Sequence, residues 1–455
     1  MVLRSGRIRD SRDGGRLNLC PSDLSRFGPD DAVIRSTDVT PSLNLRPAQD
    51  PNIRAGLVSG GHVTTVGRTW HKPLPAGIIA RRPGRDTLDH HGNRGSMDVR
   101  LWVAVCAAAA LACAPGHIPG PPDDHPHRVT FDGTSGPGAG RHVVLISGDH
   151  EYRSEELLPA MGRILAQRYG FKASVFFTLD DEGFIEPGSS NIAGLEALET
   201  ADLMVVALRF QDFPAAEMQH IVDYLDRGGP VMGLRTATHA FQIDDGPFVK
   251  YSWNYEGEEY LQGFGEQVLG ETWVGHYGNN HEQSSRLIPV ESRLDHPILR
   301  GVDDVHVQSG GYQAYPPDDA DVLAGGLVLN GMGFGAPPDP DKETLPVAWT
   351  RVYTGASGTP ARVFTSTHGA SEDFLNDGFR RMLINAVLWT VGLEDEIRRD
   401  DDVSLVGPYH PVGFSFDGYR RGVRPADLAG FDTPIMSPDR PTSTDSAGSD
   451  GALDG

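Results

Sequence analysis

Short apolar runs alternate with amphipathic segments between residues 142 and 234, and this alternation predicts the architecture of the chain. Four continuous apolar runs predict buried strands: residues 142–147, 173–177, 201–208 and 231–234. Helical spacing of apolar residues predicts helices over 155–169 and 215–227, and 191–199 predicts a short helix or turn. Strands that alternate with helices favour an α/β fold with a doubly wound, mostly parallel sheet.

The second half of the chain has a less regular pattern. Residues 248–281 are rich in aromatic residues and glycine, which predicts an inserted loop region over the site. Residues 294–302 predict a turn that closes into a strand. Three further strands, some of them antiparallel, are predicted at 322–329, 347–353 and 361–365. An amphipathic helix is predicted at 377–390, and an extended tail that wraps the domain at 400–429.

Charge and composition separate the two ends from this region. The chain has 455 residues and a formal net charge of −22, which argues against nucleic acid as a partner because phosphates would be repelled. Residues 1–96 contain many Arg and no Glu. We interpret them as disordered, or as an upstream extension read from an early start codon, with Met97 as the biological start.

The segment 97–113 has the pattern of a signal peptide. One positive charge, Arg100, precedes the apolar run 101–112, which is too short to span a bilayer comfortably. The run ends in Ala-Leu-Ala-Cys113, similar to a bacterial lipoprotein box, so lipidation at Cys113 is a candidate modification. We expect an exported protein, periplasmic or anchored as a lipoprotein, with no other membrane contact. The alternative is a buried helix of a larger domain.

Proline, glycine and small polar residues mark the flanks of the folded region. We expect a Pro/Gly-rich linker at 114–140, the folded domain at 141–430 and a disordered tail at 431–455. The domain contains no cysteine, because the chain has three and all lie upstream, at Cys20, Cys106 and Cys113. A disulfide, a thiol nucleophile and a thiolate metal site are therefore excluded from the domain.

Polar residues follow three of the predicted strands directly. In an open α/β sheet, ligands bind at the carboxyl ends of the strands, so these positions are candidates for ligand binding: Asp149, His150, Arg153, Arg209, Arg235, Thr236 and Thr238. Guanidinium groups offer planar forks of donors to carboxylates, phosphates or polyhydroxylated ligands. The alternatives are that the threonines cap a helix and that the arginines pair with acidic neighbours to hold loops.

Histidines and carboxylates supply the candidate chemistry. His239, His276, His368 and Glu151 are candidate acid–base groups, because imidazole and carboxyl groups can exchange protons near neutral pH. The histidines could also hold a divalent metal such as Zn, although none shows a recognised ligand spacing. The alternative for each histidine is a hydrogen bond that fixes a loop.

Aromatic residues in the insertion could stack on sugar rings or simply pack against the sheet. The candidates are Trp253, Tyr255, Tyr260, Trp273 and Tyr277, and we count Tyr277 among the ligand-binding residues.

Three stretches together resemble a known family. They are Leu-Ile-Ser-Gly-Asp-His-Glu-Tyr-Arg-Ser-Glu-Glu at 145–156, Pro-Val-Met-Gly-Leu-Arg-Thr-Ala-Thr-His-Ala-Phe at 230–241 and Phe-Arg-Arg-Met-Leu-Ile-Asn-Ala-Val-Leu-Trp-Thr-Val-Gly-Leu at 379–393. This set is similar to ThuA-like (trehalose utilisation) domains of secreted bacterial proteins, and the Asp295-His296-Pro297 piece also fits. The resemblance implies a fold like that of class I glutamine amidotransferases, also described as flavodoxin-like.

The resemblance also limits the chemistry. Those amidotransferases carry a nucleophilic cysteine in the turn after a central strand, where this chain has Arg235 and Thr236. Thiolate amidotransferase chemistry is therefore excluded. We expect a domain that binds a carbohydrate or polyol at the carboxyl edge of its sheet, with or without hydrolase or lyase activity. The alternative is a non-catalytic binding or cell-envelope module with a vestigial pocket.

Overall fold

The computed structural model describes residues 125–435. The predictions made for 1–96, for the signal peptide and Cys113 and for 436–455 lie outside these residues. In the part that is described, no helix has both the length and the apolar character to span a membrane.

The helices and strands between residues 125 and 435 follow the predicted alternation. The α-helices of this described part are α1 Ser154–Tyr169, α2 Ala215–Asp226 and α3 Asp377–Thr390. The strands are β1 Arg128–Asp132, β2 His142–Gly148, β3 Lys172–Phe177, β4 Leu203–Leu208, β5 Val231–Leu234, β6 His276–Tyr277, β7 Ser284–Pro289, β8 His306–Val307, β9 Gly311–Tyr312, β10 Asp321–Leu329, β11 Leu345–Thr354 and β12 Pro360–Ser366. Short 3₁₀ turns include Leu195–Thr200, Arg235–His239 and Pro297–Leu299.

Ten of these strands form one mixed sheet in the order β1-β3-β2-β4-β5-β12-β11-β10-β7-β8. The neighbours from β3 to β12 are parallel, with Leu145 level with both Val175 and Val205. β1 and the strands from β11 to β8 are antiparallel to their neighbours. The α/β fold is confirmed, while "mostly parallel" holds only for the half of the sheet that carries the strand-end residues.

Helices cover both faces of the parallel half, as a doubly wound sheet requires. Val143 and Leu145 pack with α1 and α3, whereas Val144 and Ile146 pack with α2 on the opposite face. Strands buried on both sides need apolar residues at every position, which is why they appear as continuous runs in the sequence. Burying one such side chain contributes about 1.5–3 kcal/mol.

Three of the sequence-based predictions need correction. The linker predicted at 114–140 contains β1, which pairs with β3 and buries Val129 and Phe131. Residues 294–302 form a 3₁₀ turn rather than a strand, because Pro297 begins the turn and lacks the N–H that a ladder needs. The tail assigned to 431–455 begins inside the domain, since Ile435 is buried and bridges to Tyr409.

His142 at the start of β2 gives the folded protein a pH-dependent stability. Its Nε2 lies 3.0 Å from Ser174 Oγ. Burial, together with the nearby positive charge of Lys172, lowers the pKa of His142 from 6.5 to about 4. The folded chain therefore holds the ring neutral, and its contribution to stability is complete above pH 6.5 and lost as pH falls towards 4.

We expect the stability advantage of the wild type over His142→Gln to shrink between pH 7 and pH 4. Urea unfolding at both pH values measures it. Substitution of the exposed His410 by Gln is the control. An advantage that does not change with pH would contradict this account of His142.

Candidate functional site

The turn after β5 carries a buried arginine. Arg235 follows Leu234 with φ 39°, in the left-handed region that disfavours ordinary side chains. Its guanidinium donates to the carbonyls of Gly310 and, at 3.0 Å, Thr367. It also lies between the rings of Tyr152 and Tyr312, 3.8 and 4.7 Å from their centroids. Arg235 therefore holds the turn after β5 to two loops, and at 1% exposure its side chain is closed to a ligand from solvent.

Above this arginine, six rings form what we call the aromatic cluster: Phe210, His239, Trp253, Trp273, His276 and Tyr312. The ring of His239 lies 4.9 Å from Phe210, 5.2 Å from Trp273 and 5.8 Å from Tyr312. His276 lies 5.6 Å from both Trp273 and Tyr312. Trp253 and Trp273 are half-buried and His276 is exposed, so the cluster reaches the surface.

Three donors of the aromatic cluster lack a hydrogen-bond partner. They are the indole N–H groups of Trp253 and Trp273 and the hydroxyl of Tyr312. Buried polar groups are hydrogen-bonded in the great majority of cases, because leaving one unpaired costs about 1–3 kcal/mol. Unpaired donors in a cluster that reaches the surface are therefore suited to a ligand that brings acceptor oxygens.

An ion pair borders the cluster. Arg209 Nε lies 3.0 Å from Glu151 Oε2, and its Nη1 donates to His150 Nε2 at 3.1 Å. The guanidinium also lies 4.4 Å from the ring centroid of Phe210. Burial raises the pKa of Glu151, and Arg209 opposes that shift. Asp149 accepts the backbone N–H of Glu151 at 2.9 Å and so fixes this turn.

His276 is the cluster member best placed to accept a proton. Its Nε2 lies 3.2 Å from the hydroxyl of Tyr152, which itself accepts a hydrogen bond from Asn280 Nδ2 at 3.0 Å. The Tyr152 hydroxyl is therefore free to donate to His276. Partial burial, with the nearby charges of Arg235 and Arg209, lowers the pKa of His276 to about 4. Its imidazole is accordingly neutral at pH 7.

His368 belongs to a different network. Its Nδ1 lies 3.1 Å from Ser309 Oγ, which donates to Asp373 Oδ2 at 2.5 Å. Asp373 also accepts four backbone N–H groups, those of residues 308, 309, 369 and 370. His368 is completely buried, so the geometry favours the alternative role, in which the histidine fixes a loop.

Several other candidates contact the protein itself. Arg153 is buried and donates to the carbonyls of His150 and, at 3.0 Å, Ser415. Thr236 is fully buried, and Thr238 Oγ1 lies 3.3 Å from His239 Nδ1. The Tyr277 hydroxyl donates to the carbonyl of Glu343 at 3.0 Å. The structure thus joins His239, His276, His150, Arg209 and Glu151 through ring contacts, a hydrogen bond and an ion pair, whereas the other four residues contact the protein itself.

Sequence reasoning missed five aromatic residues of this region: Tyr152, Phe210, Tyr312, Phe414 and Phe416. Phe414 lies 4.9 Å from the ring of Tyr152, and Phe416 lies 6.3 Å from that of His150. The position of Phe210 directly after β4 was a usable signal, since strand ends meet at the site. Nothing in the local sequence marks Tyr312 or the two phenylalanines of the tail.

The candidate metal site finds no support in the described part of the chain. Within residues 125–435, no group of three His, Cys, Asp or Glu side chains is placed to hold a metal ion. His150, His239 and His276 lie instead among rings and guanidinium groups.

A family model described as "Trehalose utilisation" matches residues 142–390, more than half of the 455-residue chain. The chain belongs to the ThuA family. The match includes β2, the Arg235 turn and α3, so the resemblance drawn from the three sequence stretches is confirmed. A search of curated proteins gave no match to this ThuA-family chain.

Solved structures similar to this ThuA-family protein are distant in sequence. A putative ThuA-like protein from Parabacteroides merdae is 14% identical over 61% of this chain and 97% of its own, with a TM-score of 0.34. One from Bacteroides uniformis is 15% identical over 58% and 96%, with a TM-score of 0.33. A cytoplasmic protein from Salmonella typhimurium is 14% identical over 55% and 98%, with a TM-score of 0.30. The fold therefore rests on the sheet order itself.

Proposed function

We propose that this ThuA-family domain binds a neutral carbohydrate or polyol at the carboxyl edge of its sheet. The observation that carries the proposal is the pair of half-buried tryptophans, Trp253 and Trp273, with ring centroids 5.9 Å apart. The indole N–H groups of both have no hydrogen-bond partner, and Trp253 contacts the ring of Phe210, which lies 4.4 Å from the Arg209 guanidinium.

Sugars suit this surface for two physical reasons. The C–H face of a sugar ring packs well on an aromatic ring, and its hydroxyls both donate and accept hydrogen bonds. The Glu151 carboxylate accepts, whereas Arg209 and the two indoles donate. Burial, with nearby arginines, lowers the pKa of both His239 and His276, so the cluster carries no charge of its own at neutral pH.

We further propose that the bound ligand undergoes proton transfer, in a hydrolase or lyase reaction. His276 is the candidate base and acts through Tyr152: the Tyr152 oxygen takes the proton of the ligand as the hydroxyl proton of Tyr152 passes to the neutral Nε2 of His276. The alternative is a non-catalytic binding or cell-envelope module, which would share the aromatic cluster and release its ligand unchanged. Incubation of the protein with each bound sugar, followed by product analysis, separates the two. The pattern of residues 97–113 supports an exported location for either activity.

Trp273→Ala is expected to weaken carbohydrate binding at least about tenfold, because it removes the ring that links His239, His276 and Trp253. A thermal-shift panel of mono- and disaccharides and polyols, trehalose included, finds the ligand, and calorimetry then measures its affinity. The matched control is Trp389→Ala on α3, where the half-buried indole packs against Arg362 and His296. Equal carbohydrate affinity in the wild type and in Trp273→Ala would show that the aromatic cluster is not part of the binding site.

A further inference from the structure

A cavity of about 350 Å³ lies between the N-terminus of α1 and the C-terminal segment. It shares no residue with the aromatic cluster or its ion pair. Its lining consists of Glu155, Glu156, Ile185, Arg420, Gly422, Val423, Asp427, Leu428, Thr433, Pro434 and Ile435. The volume falls in the range of small-molecule sites.

Two buried carboxylates line one end of this cavity. Glu155 and Glu156 are 8% and 2% exposed. Glu156 Oε2 accepts the backbone N–H of Val412 at 2.8 Å. Three other carboxylate oxygens have no hydrogen-bond partner: both oxygens of Glu155 and Oε1 of Glu156. Arg153 Nε lies 3.6 Å from Glu155 Oε1 and forms no hydrogen bond with it.

Arg153 neutralises these two carboxylates only in part. Burial raises the pKa of Glu155, and burial together with the charge of Glu155 raises the pKa of Glu156, while Arg153 opposes both shifts. Buried carboxylates are normally paired or neutralised, because an isolated buried charge loses its hydration. A cation that entered the cavity would relieve both the missing hydrogen bonds and the repulsion between the two groups.

The rest of the lining indicates what kind of cation fits. The opposite walls are apolar: Ile185, Val423, Leu428, Pro434 and Ile435. Asp427 already accepts the backbone N–H of Arg424 at 2.8 Å, and Arg420 is exposed. A primary ammonium has three N–H donors, the same number as the unpaired oxygens. A divalent metal would demand six or more oxygen ligands, which these walls do not offer.

We propose that this cavity binds a primary amine with an apolar chain, whose ammonium group donates to Glu155 and Glu156. The alkyl part lies against the apolar walls formed by the C-terminal segment. The proposal is independent of the carbohydrate site, since the two sites have no residue in common.

Calorimetry on the wild-type protein with three probes of matched chain length tests the proposal. Hexylamine is expected to bind at least about tenfold more tightly than 1-hexanol or hexyltrimethylammonium, because only hexylamine combines the charge with N–H donors. Equal binding of 1-hexanol would show that the cavity takes apolar chains only. Equal binding of hexyltrimethylammonium would show that charge alone is recognised. Either result would overturn the proposal.

Substitution of the carboxylates provides the second test. The double variant E155Q/E156Q keeps the side-chain shapes, and hexylamine affinity is expected to fall at least about tenfold. Binding of carbohydrate at the aromatic cluster is expected to stay unchanged, which also confirms that the variant is folded. E199Q, at an exposed position, is the control. Undiminished hexylamine affinity in the double variant would refute the assignment, and if that variant fails to fold, the three-probe comparison decides.

Discussion

Replacement of Arg235 with Met is expected to lower the free energy of unfolding by about 3–5 kcal/mol. The side chain is 1% exposed and lies between the rings of Tyr152 and Tyr312. The substitution removes two cation–π contacts and leaves the buried carbonyls of Gly310 and Thr367 without their donor. Since Gly310 directly precedes β9, the loss also releases Tyr312 from the aromatic cluster, and carbohydrate binding should weaken in parallel.

Urea unfolding of Arg235→Met and Arg235→Lys measures the effect. Lys retains the charge but cannot stack between two rings as a planar guanidinium does, so an intermediate loss is expected. Arg399→Met is the matched control, because that side chain is 74% exposed and its partner Asp303 lies 4.0 Å away. If Arg235→Met lowers the free energy of unfolding by less than about 1 kcal/mol, other contacts hold the turn after β5 in place.

His276→Gln is expected to reduce turnover of the bound carbohydrate about 100-fold and to change its Kd little. Gln can still accept the hydrogen bond from Tyr152, but its amide cannot take up a proton. The expectation depends on the catalytic form of the proposed function. An unchanged kcat would assign the site to the non-catalytic alternative if binding persists.

The pH profile of kcat/KM gives an independent reading of the same residue. With the pKa of His276 lowered to about 4 by partial burial and by Arg235, the free base remains available from pH 7 down to about pH 5. Activity should then fall as pH approaches 4, because the imidazole becomes protonated. His281→Gln on the same loop is the control, since that exposed ring contacts Phe414 instead. A profile that falls near pH 6.5 would identify a different base.

The parallel half of the fold could be predicted because its strands are buried on both faces. Leu203–Leu208 is apolar throughout and entirely buried, a pattern typical of a strand that is covered on both faces. β1 was missed because only Val129 and Phe131 of its five residues are buried, within a segment rich in Pro and Gly. β7 begins with two serines, and its pairing with β10 depends on residues some forty positions away.

The position of the candidate site could be predicted from the sequence, whereas the contacts that its residues make could not. His239, Arg209 and Glu151 follow the carboxyl ends of predicted strands, and these ends meet at one edge of a parallel sheet. The same reasoning could not show that Arg235 would be buried between the rings of Tyr152 and Tyr312, because Tyr312 reaches that position through the pairing of β9 with β6. Nor could it separate His276 from His368, whose different surroundings are set by loops distant in sequence.

The packing of α1 determines which residues a recombinant fragment of this chain must include. Phe131 of β1 lies in the same core as α1, and so do Val403, Tyr409 and Leu428 of the tail. Arg163 in the middle of α1 donates to the carbonyls of Leu428 and Thr433 at 2.9 and 2.6 Å. All of these partners lie outside the family match at 142–390. An expression fragment trimmed to that match would expose the apolar face of α1 that these residues cover, so a recombinant domain must include β1 and the tail as far as Thr433.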